Sequence, residues 1–210
     1  MTPFQTLTSV AAAMPDADID TDIIFPARFL LITDKQGLGR YAFHDQRHTA
    51  QGAERPDFVL HRAAWRGAQI LVAGPNFGCG SSREQAPWAL ADLGLRCLIA
   101  PGYGEIFRAN CYANGLLPIV LGPAAHARAL RAAEAARTMT VDLVTCTIRI
   151  NGDDKGDEGG AAIAFEVPQR QRDALLMGLD EIGLILHHET DRIAAFELGQ
   201  RQRMPWLYGH

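Results

Sequence analysis

Two rhythms of hydrophobic and polar positions run along the chain, and they change over near residue 140. Gln69–Ala73 is a short apolar, β-branched run ending at Gly74-Pro75, the pattern of a buried strand. Arg83–Leu93 then carries helical spacing, Arg96–Ala100 is a second apolar run closed by Pro101-Gly102, and Glu105–Ala113 is a helix closed by Asn114-Gly115. Leu116–Leu121 reads as a third strand and the alanine-rich Ala124–Arg137 as a third helix. Strand and helix alternating at this spacing predict a parallel α/β sheet with right-handed crossovers.

Beyond that point the period falls to two. Val141–Ile150 and Ala161–Val167 alternate on either side of NGDDKGDEGG, which predicts an antiparallel pair joined by an acidic turn. The tail is helical, with Leu175, Leu179, Ile182 and Leu186 on one stripe. Upstream the pattern is weak. Val10–Pro26 mixes short apolar runs with DADIDTD, and Ile32–Asp57 reads as a long polar excursion with little core of its own, a kind of segment that is often functional. The expected organisation is one α/β domain over residues 1–210. Within it, 1–66 holds N-terminal strands and a variable substrate-side loop, 67–140 the α/β core, and 141–210 the antiparallel pair and C-terminal helices.

Composition narrows the classes. Hydrophobic residues at 48% and charged ones at 21% belong to a globular chain rather than a disordered one. A net charge of −4 leaves no basic footprint for nucleic acid. The uncharged stretch Cys111–Ala127 contains Asn114, Gly115, Pro118, Gly122 and Pro123, so it is not a membrane span. No basic region followed by an apolar run opens the chain, so a cytoplasmic protein is expected. The four cysteines are separated by 18, 14 and 35 residues with no CxxC pair. That spacing suits free thiols better than a disulfide framework or an iron–sulfur site, so no metal or cofactor is assigned to this chain.

The chemistry concentrates in Gly74-Pro75-Asn76-Phe77-Gly78-Cys79-Gly80-Ser81-Ser82-Arg83-Glu84, between the first parallel strand and its helix. Ligands bind at the carboxyl ends of such strands. Glycines permit tight turns, and two serines arrive at a helix start, where free N–H groups and the dipole favour anions. Ser81-x-x-Glu84 and Ser82-x-x-Gln85 both fit a capping box, while Pro87 lies too deep for the first helical position in either register. The loop lacks the lysine of a P-loop, the third glycine of a dinucleotide fingerprint, and the final glycine of a nucleophile elbow. It remains an anion-binding turn with two hydroxyls and an arginine, or simply a capped helix with an exposed Arg83.

NFGCGSSRE, followed by APWAL and IAPGYGEIFRANCYANGLLPI, resembles the small-subunit family of 3-isopropylmalate dehydratase. DIDTDIIFPARFL and PDFVL upstream, and GLDEIGLILHHETDRIAAFE downstream, match further motifs of that family in order, so the resemblance spans nearly the whole chain. The family corresponds to the swivelling domain of aconitase. The resemblance implies a three-layer β/β/α fold with a mainly parallel sheet core. It implies a large-subunit partner, in a heterodimer or heterotetramer, that carries a [4Fe-4S] cluster. It also implies interconversion of 2- and 3-isopropylmalate through isopropylmaleate, in leucine biosynthesis. By the same resemblance Ser81 is the base that takes the proton alpha to a carboxylate, and Arg83 stabilises its alkoxide and grips a substrate carboxylate. Ser82, Gly80, Arg28 and Asp22 are the remaining substrate contacts, with Arg28 also a candidate for capping the sheet. The chain departs from the family at Gln85, where histidine is usual; glutamine keeps hydrogen bonding but cannot titrate. A related hydro-lyase subunit for citraconate or dimethylmalate, or an anion-binding module without chemistry, would use the same loop.

Other polar groups carry less. Asp18, Asp20 and Asp22 lack the glycine and glutamate of a calcium loop; the stretch from Asp20 to Asp22, with Thr21 inside the family's DTD motif, is expected to shape the rim of the site. His187 and His188 would point about 100° apart on a helix, poor placing for chelation. Cys79 is expected as a small packed residue. Tyr103, Glu105 and Phe107 fall near the same sheet edge and serve packing at least as readily as the site.

Overall fold

A computed structural model of the chain describes residues 1–32, 34–152 and 160–208. Its strands are β1 (Thr6–Met14), β2 (Ile70–Ala73), β3 (Cys97–Ala100), β4 (Leu117–Val120), β5 (Thr138–Asp142), β6 (Thr147–Ile150) and β7 (Ile163–Ala164). They form one sheet in the order β4-β3-β2-β1-β5-β6-β7. The first four run parallel and the last three extend the sheet antiparallel from β1. The helices are α1 (Thr21–Ile24), α2 (His44–Arg47), α3 (Gln85–Asp92), α4 (Glu105–Ala113), α5 (Pro123–Glu134), α6 (Gln169–Met177) and α7 (Glu181–Arg203).

Every residue of β2 and β3 is buried, which is why these strands read as unbroken apolar runs: helices and loops cover both faces. Alternation sorts their side chains into two cores. Ala12, Leu71, Ala73, Leu98 and Ala100 pack with Leu90 of α3 and Phe107 of α4. Ala11, Ile70, Val72, Cys97 and Ile99 pack with Ala129, Ala132 and Ala133 of α5 on the other face. Because β1 to β3 are parallel, their carboxyl ends meet at one edge, together with the starts of α3 and α4. The α/β reading with a parallel core stands.

Three local readings change, and a fourth falls largely outside the described residues. The Val141–Ile150 run is not one strand but the hairpin β5–β6, turned where Asp142 Oδ1 accepts from Thr145 N at 2.8 Å and Cys146 adopts φ +51. No glycine or proline marks that turn. The acidic segment between β6 and β7 lies largely outside the described residues. The tail is two helices, broken at Gly178 (φ +69), with Asp180 capping α7 through Gly183 N at 2.7 Å. The expected stripe is thereby split: Leu175 is buried, while Ile182 and Leu186 are exposed. Finally, the polar excursion has a core. Leu38, Ala42 and Phe43 are fully buried, and Gly39 packs backbone to backbone on the end of α3, its N–H donating to Asp92 Oδ2 at 2.7 Å.

Candidate active site

Main-chain hydrogen bonds hold the loop after β2 from both sides. On one side Asp18 N donates to Pro75 O (3.0 Å), Gly78 N to Ile19 O (2.7 Å) and Thr21 N to Cys79 O (3.0 Å). On the other, Phe77 N donates to Gly102 O (3.1 Å) and Gly104 N to Phe77 O (3.0 Å), which makes a parallel bridge between Phe77 and Tyr103 beyond the end of β3. The crossing is too close for side chains. A Cβ on Gly104 would lie 2.4 Å from Gly78 O, and one on Gly78 would lie 2.2 Å from the Phe107 ring. Phe107 stands edge-on to Phe77, with ring centroids 5.6 Å apart, and Tyr103 donates its hydroxyl to Ile119 O at 3.0 Å. Phe107 and Tyr103 are therefore the floor of the loop; burial drives the Tyr103 hydroxyl well above its ordinary range.

The chemical groups sit on top of that floor. Gly80 adopts φ +87, and Gly80, Ser81 and Ser82 are exposed. Among the described residues, none of the N–H groups from Gly80 to Glu84 is taken by a protein acceptor. The two serines do not cap the helix as the capping box predicts. Helix α3 begins at Gln85, two or three residues later, and the Glu84 cap position makes no side-chain bond. This later start places Pro87 in the first turn, where its missing N–H removes no helical bond. It also leaves both hydroxyls and a run of N–H groups free for a ligand.

Arg83 and Asp22 are brought together. The Arg83 guanidinium forks onto the Asp22 carboxylate, with Nη2 to Oδ2 at 2.7 Å and Nη1 to Oδ1 closer still. That fork is the main cause holding the Asp22 carboxyl below its usual range. Asp22 Oδ1 also accepts from Ala27 N at 3.2 Å, and Asp20 caps α1 by accepting from Ile23 N at 2.8 Å. Asp22 is thus a holder of Arg83 as well as a rim residue. Arg28 faces a different partner. Its guanidinium forks onto Asp45, with Nη1 to Oδ2 at 3.0 Å, and contacts His44 Nδ1 at 3.1 Å. The Asp45 carboxyl is drawn down to about 2, chiefly by Arg28. Cys79 is half-buried, and burial, with Asp18 and Asp20 nearby, pushes its thiol up, unlike an activated nucleophile. His187 and His188 are exposed on α7.

The sequence reading places Thr21 on the rim of this site without its bonds to the serine loop, and it misses Gly104. The available signals were a threonine enclosed by two aspartates in DTD, and a glycine immediately before a helix whose φ would suit any residue.

Comparison with known proteins decides the family. The family model of the aconitase C-terminal domain matches residues 1–124. The 3-isopropylmalate dehydratase small subunit of Paramagnetospirillum magneticum is 48% identical over 99% of this chain and 100% of its own. That of Rhodospirillum rubrum is 47% identical over 99% of this chain and 97% of its own. The chain belongs to the 3-isopropylmalate dehydratase small-subunit family. A crystal structure of the 3-isopropylmalate dehydratase from Methanocaldococcus jannaschii shares the fold, with a TM-score of 0.64 at 24% identity over 90% of this chain and 99% of that one. Membership makes the chain part of an aconitase-type hydro-lyase. The aconitase match ends just past β4, so it covers the parallel half of the sheet and the whole serine loop.

The family resemblance implies a [4Fe-4S] cluster, and the described residues do not gather side chains that fit one. Cys97 and Cys111 are buried in the core with their thiols pushed up by burial, and no group of three or more His, Cys, Asp or Glu side chains among the described residues could hold a metal. No helix among the described residues is long and apolar enough to cross a membrane.

Proposed function

We propose that this chain supplies one half of the active site of a 3-isopropylmalate dehydratase, interconverting 2- and 3-isopropylmalate by dehydration and rehydration. The observation that carries the reading is the run of free N–H groups from Gly80 to Glu84, with two exposed hydroxyls and a held guanidinium, at the carboxyl edge of a parallel sheet.

Each part has a task. Ser81 takes the proton alpha to a substrate carboxylate. A serine alkoxide is accessible only where its charge is dispersed, and oriented N–H groups supply that without reorganising once the partner half-site covers the exposed loop. Arg83 adds a positive field, and its remaining N–H donors meet a substrate carboxylate while Asp22 fixes the plane of the fork. Ser82 and the Gly80 N–H complete the polar contacts. Arg28 joins the substrate only by exchanging its partner Asp45 for a substrate carboxylate. Departure of the hydroxyl requires an electrophile, and no donor set for one is gathered among the described residues. The complementary half-site therefore comes from a large subunit, the bearer of the family's [4Fe-4S] cluster.

Titrating a cluster-loaded large subunit into a fixed amount of this chain should give 2-isopropylmalate dehydration that rises and saturates. Substantial turnover by this chain alone would overturn the half-site reading. A complex that turns over dimethylmalate but not 2-isopropylmalate would redirect it to the related hydro-lyase.

A further inference from the structure

We propose that Thr21 is a positioning residue for this reaction: its N–H and hydroxyl hold the carbonyls on both sides of Gly80 and so set where Ser81 presents its own hydroxyl. The proposal rests on the assignment of Ser81 as base.

Two polar side chains are buried among the described residues, Thr21 at 2% exposure and His126 at 8%. His126 Nε2 meets Ala73 O at 2.8 Å, inside the fold. The Thr21 hydroxyl instead donates to Ser81 O at 2.9 Å, while its N–H donates to Cys79 O at 3.0 Å. Between those two carbonyls lies Gly80 at φ +87, and nothing approaches closer than 3.5 Å to where its Cβ would be. Packing therefore does not wedge the turn at residue 80; the pair of Thr21 bonds closes it. With the carbonyls of residues 79 and 81 engaged by Thr21, the N–H groups from Gly80 onward are left unpaired on the exposed loop.

Thr21 is itself fixed. Its carbonyl accepts from Phe25 N at 2.9 Å, and Asp20 caps the short turn that contains it. Packing alone does not call for a threonine here. Valine has the same outline, and a buried hydroxyl is unfavourable unless it is bonded. What the hydroxyl adds is the bond to Ser81, made across 60 residues of sequence.

The test uses the assembled enzyme with 2-isopropylmalate. Ser81→Ala should lower kcat by ~10²–10⁴-fold, the usual loss for a general base. Thr21→Val should lower kcat by roughly 10–100-fold with KM nearly unchanged, because a small misplacement of a reacting group is costly in rate. Thr21→Ser should restore most of that loss. The double variant Thr21→Val/Ser81→Ala should be no slower than Ser81→Ala alone, which a purely structural role would not produce. If the valine variant does not fold, Thr21→Ala takes its place with the same expectations. Wild-type kcat in Thr21→Val, failure of the serine to rescue, or additive losses in the double variant would each overturn the proposal. Near-normal turnover in Ser81→Ala would instead remove the base assignment, and the proposal with it.

Discussion

The Gly74–Arg83 loop and the Ala27–His61 segment are both tethered to the stretch from Ile19 to Pro26, and each presents an arginine–aspartate fork. They are built in opposite ways. In the first, glycines let two backbones cross, main-chain bonds fix the loop from both sides, and the Arg83 side chain is only 12% exposed. In the second, a buried anchor of Leu38, Ala42 and Phe43 holds the segment, but its fork lies outside: the Arg28 and Asp45 side chains are 50% and 64% exposed. Main-chain bonds fix atoms to fractions of an ångström and do not depend on salt. An exposed ion pair does neither, since water and ions compete for both partners. Chemistry that needs a base in one place belongs on the first region, and adaptation to a substrate's outline suits the second.

The comparison breaks most severely at the glycine crossing. Gly104 has an ordinary φ of −58, so alanine there is conformationally allowed, but its Cβ would sit 2.4 Å from Gly78 O. Overpacking of this kind costs typically ~1–3 kcal/mol, and here the obstacle is backbone that cannot rotate away. Gly104→Ala should lower the unfolding free energy by that amount, seen as a lower denaturant midpoint, and abolish most activity in the complex. Gly102→Ala is the control, because nothing lies within 4 Å of its Cβ position. Equal midpoints for the two variants would show that the crossing does not hold the loop.

How much of this was visible in the sequence follows from the range of the interactions. The parallel core was legible because β2, β3 and β4 are apolar throughout, and the α4 limits fell where glycine and asparagine mark them. N-terminal strands are expected from the sequence but the central strand β1 has no legible bounds, since Ala11-Ala12-Ala13 has little strand propensity; it is a strand because β2 and β5 pair with it on both sides. Capping boxes place the start of α3 too early because they are local patterns, and here the loop turns toward Thr21 before the helix begins at Gln85. The serine–arginine string itself was legible as an anion site. Its organisation was not: Asp22 and Arg83 meet across 61 residues, and Arg28 finds Asp45 across 17. Spacing rules do not reach that far.

A smaller effect separates the guanidinium from its charge. Arg83→Lys keeps the charge but loses the fork on Asp22, because an ammonium cannot present two parallel donors. Hydrogen bonds to charged groups contribute about 1.5–3 kcal/mol, so kcat/KM should fall by ~10–100-fold. KM should rise and kcat fall together, since the same group meets the substrate before and during proton removal. A lysine variant with unchanged kcat and KM would reduce Arg83 to a structural cation.

The smallest effect is expected at the exposed fork, and pH sets its size. Asp45→Asn should cost at most ~1 kcal/mol at neutral pH, the range for exposed ion pairs. The Asp45 carboxyl is drawn down to about 2 from an unfolded value near 3.9, so its contribution is complete above the unfolded value and fades as pH falls from about 4 toward about 2. Asp22 is shifted in the same direction, and its partner Arg83 is far less exposed than Arg28. Urea midpoints of wild type, Asp45→Asn and Asp22→Asn at pH 7 and pH 3 therefore form a direct comparison of the two regions. Asp22→Asn should open the wider gap at pH 7, and both gaps should narrow at pH 3. A wider gap for Asp45→Asn would invert the contrast between a backbone-braced fork and an exposed one.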